Sequence, residues 1–178
     1  MELDSKISGD FSKSFDNIFF GNTITGYRNK NKFTFGYDIS TINTNSSDLK
    51  DNSNVVLGFI GCSYNTSYVI KCNDACTINE NFKLICKSIE DIIKKCSIKP
   101  FLQPPHERKN IKHNRNKHMG TWKYLTIRHS VYENKYMIIL TNFIRHITSQ
   151  NKSEYDEVVK IIRNTMMQFD FVRISEYN

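Results

Sequence analysis

No run of this sequence approaches the roughly 18 consecutive apolar residues that a membrane-spanning helix needs. It holds no Gly-x-Gly-x-x-Gly and no P-loop, so neither common glycine-rich phosphate cradle is present as a pattern. It has no His-Glu-x-x-His either, which removes the familiar helical zinc-hydrolase site. The opening MELDSKISGDFSKSFD is acidic and polar, where a secretory leader is basic and then apolar. These absences predict a cytoplasmic or nuclear chain with no membrane partner.

Cysteine is present in an odd number, five, at positions 62, 72, 76, 86 and 96. In a reducing compartment these are expected to be free thiols. CNDAC puts three residues between its cysteines, and no second pair stands at zinc-finger spacing. Cys86 and Cys96 fall in a helical pattern and read as small apolar residues. His106, His113 and His118 lie in the basic loop HERKNIKHNRNKH, where the surrounding cations repel a metal and no carboxylate completes a ligand set. No metal site is expected.

What the chain has in excess is positive charge. Twenty-five Lys and Arg face 18 Asp and Glu, for a net charge of +7 and a pI near 9.1. That balance suits a partner carrying phosphates. Asn, Lys and Ile are abundant together, the mark of an AT-rich coding sequence, so patterned charge says more than total charge.

The patterned charge is in GYRNKNKFTFGYD, residues 26–38. Arg28, Lys30 and Lys32 recur every second residue, and so do Phe33, Phe35 and Tyr37. Successive side chains of a strand point to opposite faces. One face is therefore cationic, and the aromatic face is expected in the core. The basic loop adds Arg108, Lys109, Lys112, Arg115 and Lys117, opposed within it only by Glu107.

The remaining elements follow from periodicity. A first strand is predicted over 27–39. A polar, low-complexity stretch over 40–54 cannot bury enough apolar surface to order itself and is expected to be a flexible insertion. Strands follow at 55–60 and 68–71. A helix over 79–96 carries an apolar stripe of Phe82, Ile85, Ile89, Ile92 and Cys96. A hairpin is predicted from strands 121–130 and 135–142 joined by VYEN. A second helix begins at an N-cap Ser153 and buries Tyr155, Val158, Val159, Ile162 and Met166. A last strand covers 169–175. The pattern predicts a loose tail over 1–10 and one α+β domain over 11–178, an antiparallel sheet with two main helices packed on it.

GYRNKNKFTFGYD, then VVLGFIGCSYNTSYVIKCNDACTI, then GTWKYLTIRHS resemble, in order and spacing, the central region of the RNA (uracil-5-)-methyltransferases. The similarity is greatest to the eukaryotic enzymes that methylate a uridine in the tRNA T-loop. It is carried by Tyr27 to Lys30, Gly58 to Tyr64, Cys76, and Gly120 to Arg128, and it spans roughly residues 11–175. It implies a fragment of an S-adenosylmethionine-dependent enzyme, a domain that positions RNA, in particular tRNA. The family's cofactor-binding domain carries a glycine-rich loop, an Asp-Pro-Pro-Arg-like segment and a nucleophilic cysteine in a Ser-Cys-Asn-Pro-like motif. None of these is written here, so no catalytic or cofactor-binding residue is expected in this chain. On this reading Arg28, Lys30 and Lys32 contact the RNA backbone, with Lys123 and Arg128 as further candidates. The alternative is a stand-alone basic interaction domain with no enzymatic role, binding RNA or an acidic protein.

Overall fold

The computed structural model describes residues 25–41, 52–61, 68–101, 120–169 and 171–177. The expected tail over 1–10, the basic loop over 106–118 and Cys62 lie outside the described residues. The chain forms β1 (Lys30–Asp38), β2 (Val55–Ile60), β3 (Tyr68–Lys71), α1 (Glu80–Ile93), β4 (Trp122–Ser130), β5 (Lys135–Asn142), α2 (Lys152–Met166) and β6 (Phe171–Tyr177). It is an α+β fold, with six strands in the order β2-β3-β1-β4-β5-β6.

The sheet is mostly antiparallel, as expected, and two parallel pairings among the described strands make it mixed. β1 pairs antiparallel with β2 and β4, and so do β2 with β3 and β4 with β5. β5 and β6 are parallel because the α2 crossover between them returns the chain to the same end of the sheet. β1 and β3 are also parallel, over Tyr37↔Tyr68 and Asp38↔Val69. Tyr37 is paired with Val55 of β2 as well, so β1, β2 and β3 each pair with the other two and close on themselves at this end.

The strand alternation is realised as expected: Phe33, Phe35 and Tyr37 are buried, while Lys30 and Lys32 are exposed. Both helices join the core against that aromatic face. In α1, Asn79 caps the N-terminus by accepting from Asn81 N at 2.8 Å. Its buried stripe is Phe82, Ile85, Cys86, Ile89 and Ile93. Ile92, inside α1, and Cys96, beyond its end at Ile93, are only partly buried and flank that stripe. α2 buries the five residues expected of it. Ser153 is inside α2 and not its cap. Asn151 holds that place, and its Oδ1 accepts from Thr148 N at 2.7 Å.

The stretch over 40–54, expected to be flexible throughout, has ordered ends. Ile39–Thr41 and Asn52–Asn54 are 3-10 turns, Asn52 is buried, and residues 42–51 lie outside the described residues.

Trp122 joins the layers. Its Nε1 donates to Ile98 O at 2.9 Å beyond α1, and its ring stacks on Tyr155 of α2 at 5.5 Å. The Tyr155 hydroxyl accepts in turn from Asn142 Nδ2 of β5 at 2.8 Å.

Glu90 of α1 stands in for a neighbouring strand. Its Oε1 accepts from Leu57 N at 2.7 Å. β3 pairs with β2 only from Gly58 onward, so it offers Leu57 no partner. Burial raises the Glu90 carboxyl above its usual range, although the Leu57 N–H and the Lys94 and Lys71 charges pull the other way. A raised carboxyl binds protons more tightly in the folded state than in the unfolded one. This group's contribution to stability therefore falls as pH rises from the ordinary glutamate value through the raised one. Glu90→Gln keeps an acceptor for Leu57 and is expected to remove that decline while staying within about 1 kcal/mol of the parent at neutral pH. Glu90→Ala orphans the N–H and is expected to cost about 1–3 kcal/mol. Urea titrations of the three proteins between pH 4 and 8 check both outcomes. A parent whose pH profile overlays that of Glu90→Gln would contradict the assignment.

Candidate nucleic-acid interface

The sheet's other face carries the cations. Register places Lys30 opposite Arg128 and Arg128 opposite Met137. The next row is Lys32, Thr126 and Ile139, and the one after is Thr34, Tyr124 and Thr141. Two like charges set directly across a strand pair repel each other. Lys30 and Arg128 are both exposed, and neither takes part in an ion pair among the described residues. Their like charges oppose each other across the strand pair.

Arg28 is not on this stripe. It precedes β1, in an isolated bridge to Ile78, with its N donating to Thr77 O at 3.3 Å. The spacing of two continued the pattern in sequence, but the strand begins only at Lys30, so the pleat that would align Arg28 is missing. Its side chain is exposed.

Lys123 is on the face for a reason that spacing hides. It stands five positions before Arg128, and in a regular strand an odd offset means opposite faces. The β4–β5 register shifts between Trp122 and Tyr124. A bulge adds one residue to a strand and resets the alternation. Trp122 is thereby fully buried in the core, while Lys123 and Tyr124 are both half-exposed.

Around Lys123 the structure assembles residues that are far apart in sequence. Lys32 Nζ sits 3.7 Å from the centre of the Tyr124 ring, and Lys123 Nζ lies 5.2 Å from the same ring. Lys123 Nζ is also 5.1 Å from the centre of Phe101, which packs on Phe143 at 4.8 Å. The Arg145 guanidinium lies 5.9 Å from Phe143. All are within cation–π reach. The result is a ridge of interleaved cations and aromatics: Lys32, Tyr124, Lys123, the Phe101–Phe143 pair and Arg145. Phe101, Phe143 and Arg145 carry no sequence signal of their own, because each is single and lies outside any patterned strand. The parallel bridge of Pro100 to Trp122, with Phe101 N donating to Trp122 O at 2.7 Å, brings Phe101 to this strand. Such a ridge offers charge to phosphates and ring faces to bases.

Among the described residues, no glycine-rich strand-to-helix turn of the kind expected of an S-adenosylmethionine site is found. The β5–α2–β6 crossover is the one parallel helix-linked pair among the described residues, and its leading segment FIRHITSQN has no glycine. The first turn of α2 is occupied by Glu154, which accepts from Ser97 N at 2.6 Å. Among the described residues no three His, Cys, Asp or Glu gather as a metal site, and no helix is long and apolar enough to cross a membrane.

No protein-family model matches the chain, and no curated protein matches it at a significant level.

Proposed function

We propose that this chain is an RNA-positioning domain of a tRNA (uracil-5-)-methyltransferase. In that reading it grips the sugar-phosphate backbone of a folded tRNA. Methyl transfer is carried out by an S-adenosylmethionine-binding domain outside these residues. The observation that supports RNA as the partner is the cation–aromatic ridge beside Lys30 and Arg128, which form no ion pair among the described residues. Motifs carried in Tyr27 to Lys30, Gly58 to Tyr64 and Gly120 to Arg128 support the family. Phosphate contacts orient a nucleic acid without reading its sequence. Binding is therefore expected to be salt-sensitive and nearly indifferent to tRNA identity.

Filter binding of folded tRNA at several salt concentrations tests this. Combined Lys32→Ser, Lys123→Ser and Arg145→Ser substitutions remove three cations from exposed or half-exposed positions. They are expected to flatten the log–log salt slope by about two to three units, at ~0.7–0.9 for each phosphate no longer neutralised. A circular dichroism melt confirms that the variant is folded. A folded variant with an unaltered slope would falsify the assignment. Binding to an acidic protein with no binding to tRNA would favour the stand-alone interaction domain.

A further inference from the structure

Where the cationic row reaches the tip of the β4–β5 hairpin, the surface opens into a cleft of about 500 Å³. Lys30, Arg128 and Lys135 line it, with Glu133 as the one carboxylate on its wall and half-buried Met137 contributing apolar surface. Three cations against one anion leave a net positive recess, of a size common for small-ligand sites.

Beside it, the turn over 131–134 projects an aromatic ring. Tyr132 is 99% exposed and Val131 75% exposed. A ring so exposed contributes almost no buried area to the fold. The turn that holds it is nonetheless built. Glu133 N donates to Ser130 Oγ at 3.3 Å, and His129 Nε2 lies 3.1 Å from Asn134 Oδ1. The His129 ring stacks on Tyr136 at 4.5 Å, and Asn134 takes φ +50° to close the turn. A held turn that presents an exposed ring beside a cationic recess has the two parts of a single-strand site: a stacking platform and a backbone grip.

We infer that this hairpin tip captures one unpaired nucleotide of an RNA. Its phosphate enters the recess between Lys30, Arg128 and Lys135, and its base stacks on Tyr132. The inference rests on the RNA-binding reading and gives it a ligand class. The sheet ridge follows the backbone of folded RNA, and the tip takes a nucleotide that has left the stack.

Fluorescence anisotropy with the full chain and two end-labelled probes at low salt tests it. One probe is pentauridylate, whose bases stack little on each other. The other is the abasic pentamer, with the same phosphates and no bases. Tyr132→Ala is expected to weaken pentauridylate by about five- to one-hundred-fold, as loss of one stacked base does, and to leave the abasic pentamer unchanged. Lys135→Ser is expected to weaken both probes alike and to flatten the salt slope by about 0.7. Both side chains are exposed, so neither change threatens the fold. Equal affinity of the parent for the two probes, or a Tyr132→Ala protein indistinguishable from the parent, overturns the inference. If the ridge variant still flattens the tRNA slope in that case, the RNA-binding reading survives alone. A parent that binds neither pentamer nor tRNA overturns both.

Discussion

Replacing Gly120 by alanine is expected to remove about 3–5 kcal/mol of stability, a large share of the ~5–15 kcal/mol typical of a folded protein. Two effects combine. Gly120 has φ +95°, a conformation that side chains rarely adopt. Holding a non-glycine residue there costs about 1–3 kcal/mol. An added Cβ would also stand 1.9 Å from Pro100 O and 2.5 Å from its carbonyl carbon. Those are backbone atoms, so no rotamer change relieves the overlap and the two segments must move apart. Separation breaks Thr121 N to Lys99 O at 2.8 Å and Phe101 N to Trp122 O at 2.7 Å. Each such bond is worth about 0.5–1.5 kcal/mol net. The expected fall in Tm is roughly 6–20 °C, at ~2–4 °C per kcal/mol for a chain of this size.

Gly26→Ala separates strain from overlap. Gly26 also has positive φ, +62°, but its added Cβ would meet nothing nearer than Asn79 Cα at 3.7 Å. It is expected to cost only about 1–2 kcal/mol. Melting the two variants side by side checks the ordering, and equal losses would show that the Pro100 contact is soft. The Gly120 change reaches function as well. Pro100 lies against Gly120 at the base of the segment that contains the basic loop, and the same bridge brings Phe101 to Lys123. Gly120→Ala is therefore expected to weaken tRNA binding even below its melting temperature.

Asn52→Asp is expected to cost about 3–5 kcal/mol, more than Asn52→Ala at about 2–3 kcal/mol. Asn52 is 4% exposed and sits beneath the end of α1. Its Nδ2 donates to Cys96 O at 2.6 Å and Ile98 O at 3.0 Å, with Ile93 O at 3.4 Å. Carbonyls at a helix C-terminus have no partner within the helix, and here one side-chain amide serves them. Alanine removes the donor to Cys96 O and one of the donors to Ile98 O. Aspartate brings a buried negative charge against three partial negative charges, which is worse. The fault would spread, because Ile98 O also accepts from Trp122 Nε1, so α1, β2 and β4 share this point. Denaturant unfolding of the two variants gives the order directly. An aspartate variant as stable as the alanine variant would mean that water reaches the carbonyls.

Asn52 also shows where sequence reading stops. It stands in STINTNSSDLKDNSN, a stretch whose composition argues for disorder, and composition averages over a residue that makes one decisive contact. No local pattern marks an amide whose partners lie more than 40 positions away.

The sequence by itself determined what depends on side-chain period. Alternation over 30–37 set the aromatic face of β1 inward and Lys30 and Lys32 outward. Steps of three and four found both helices and the buried face of α2. Turn residues placed β2, β3 and β5 at the limits they have. These features are local, because the backbone geometry of one element imposes them. The tertiary structure decided everything that needs two elements to meet. It paired Lys30 with Arg128, moved Lys123 onto the cationic face through a bulge, and left Arg28 off the strand. It brought Phe101, Phe143 and Arg145 beside Lys123, and it made β6 parallel to β5. Register, bulges and crossovers are fixed by packing against partners distant in the chain, and the periodicity of a single segment does not contain them.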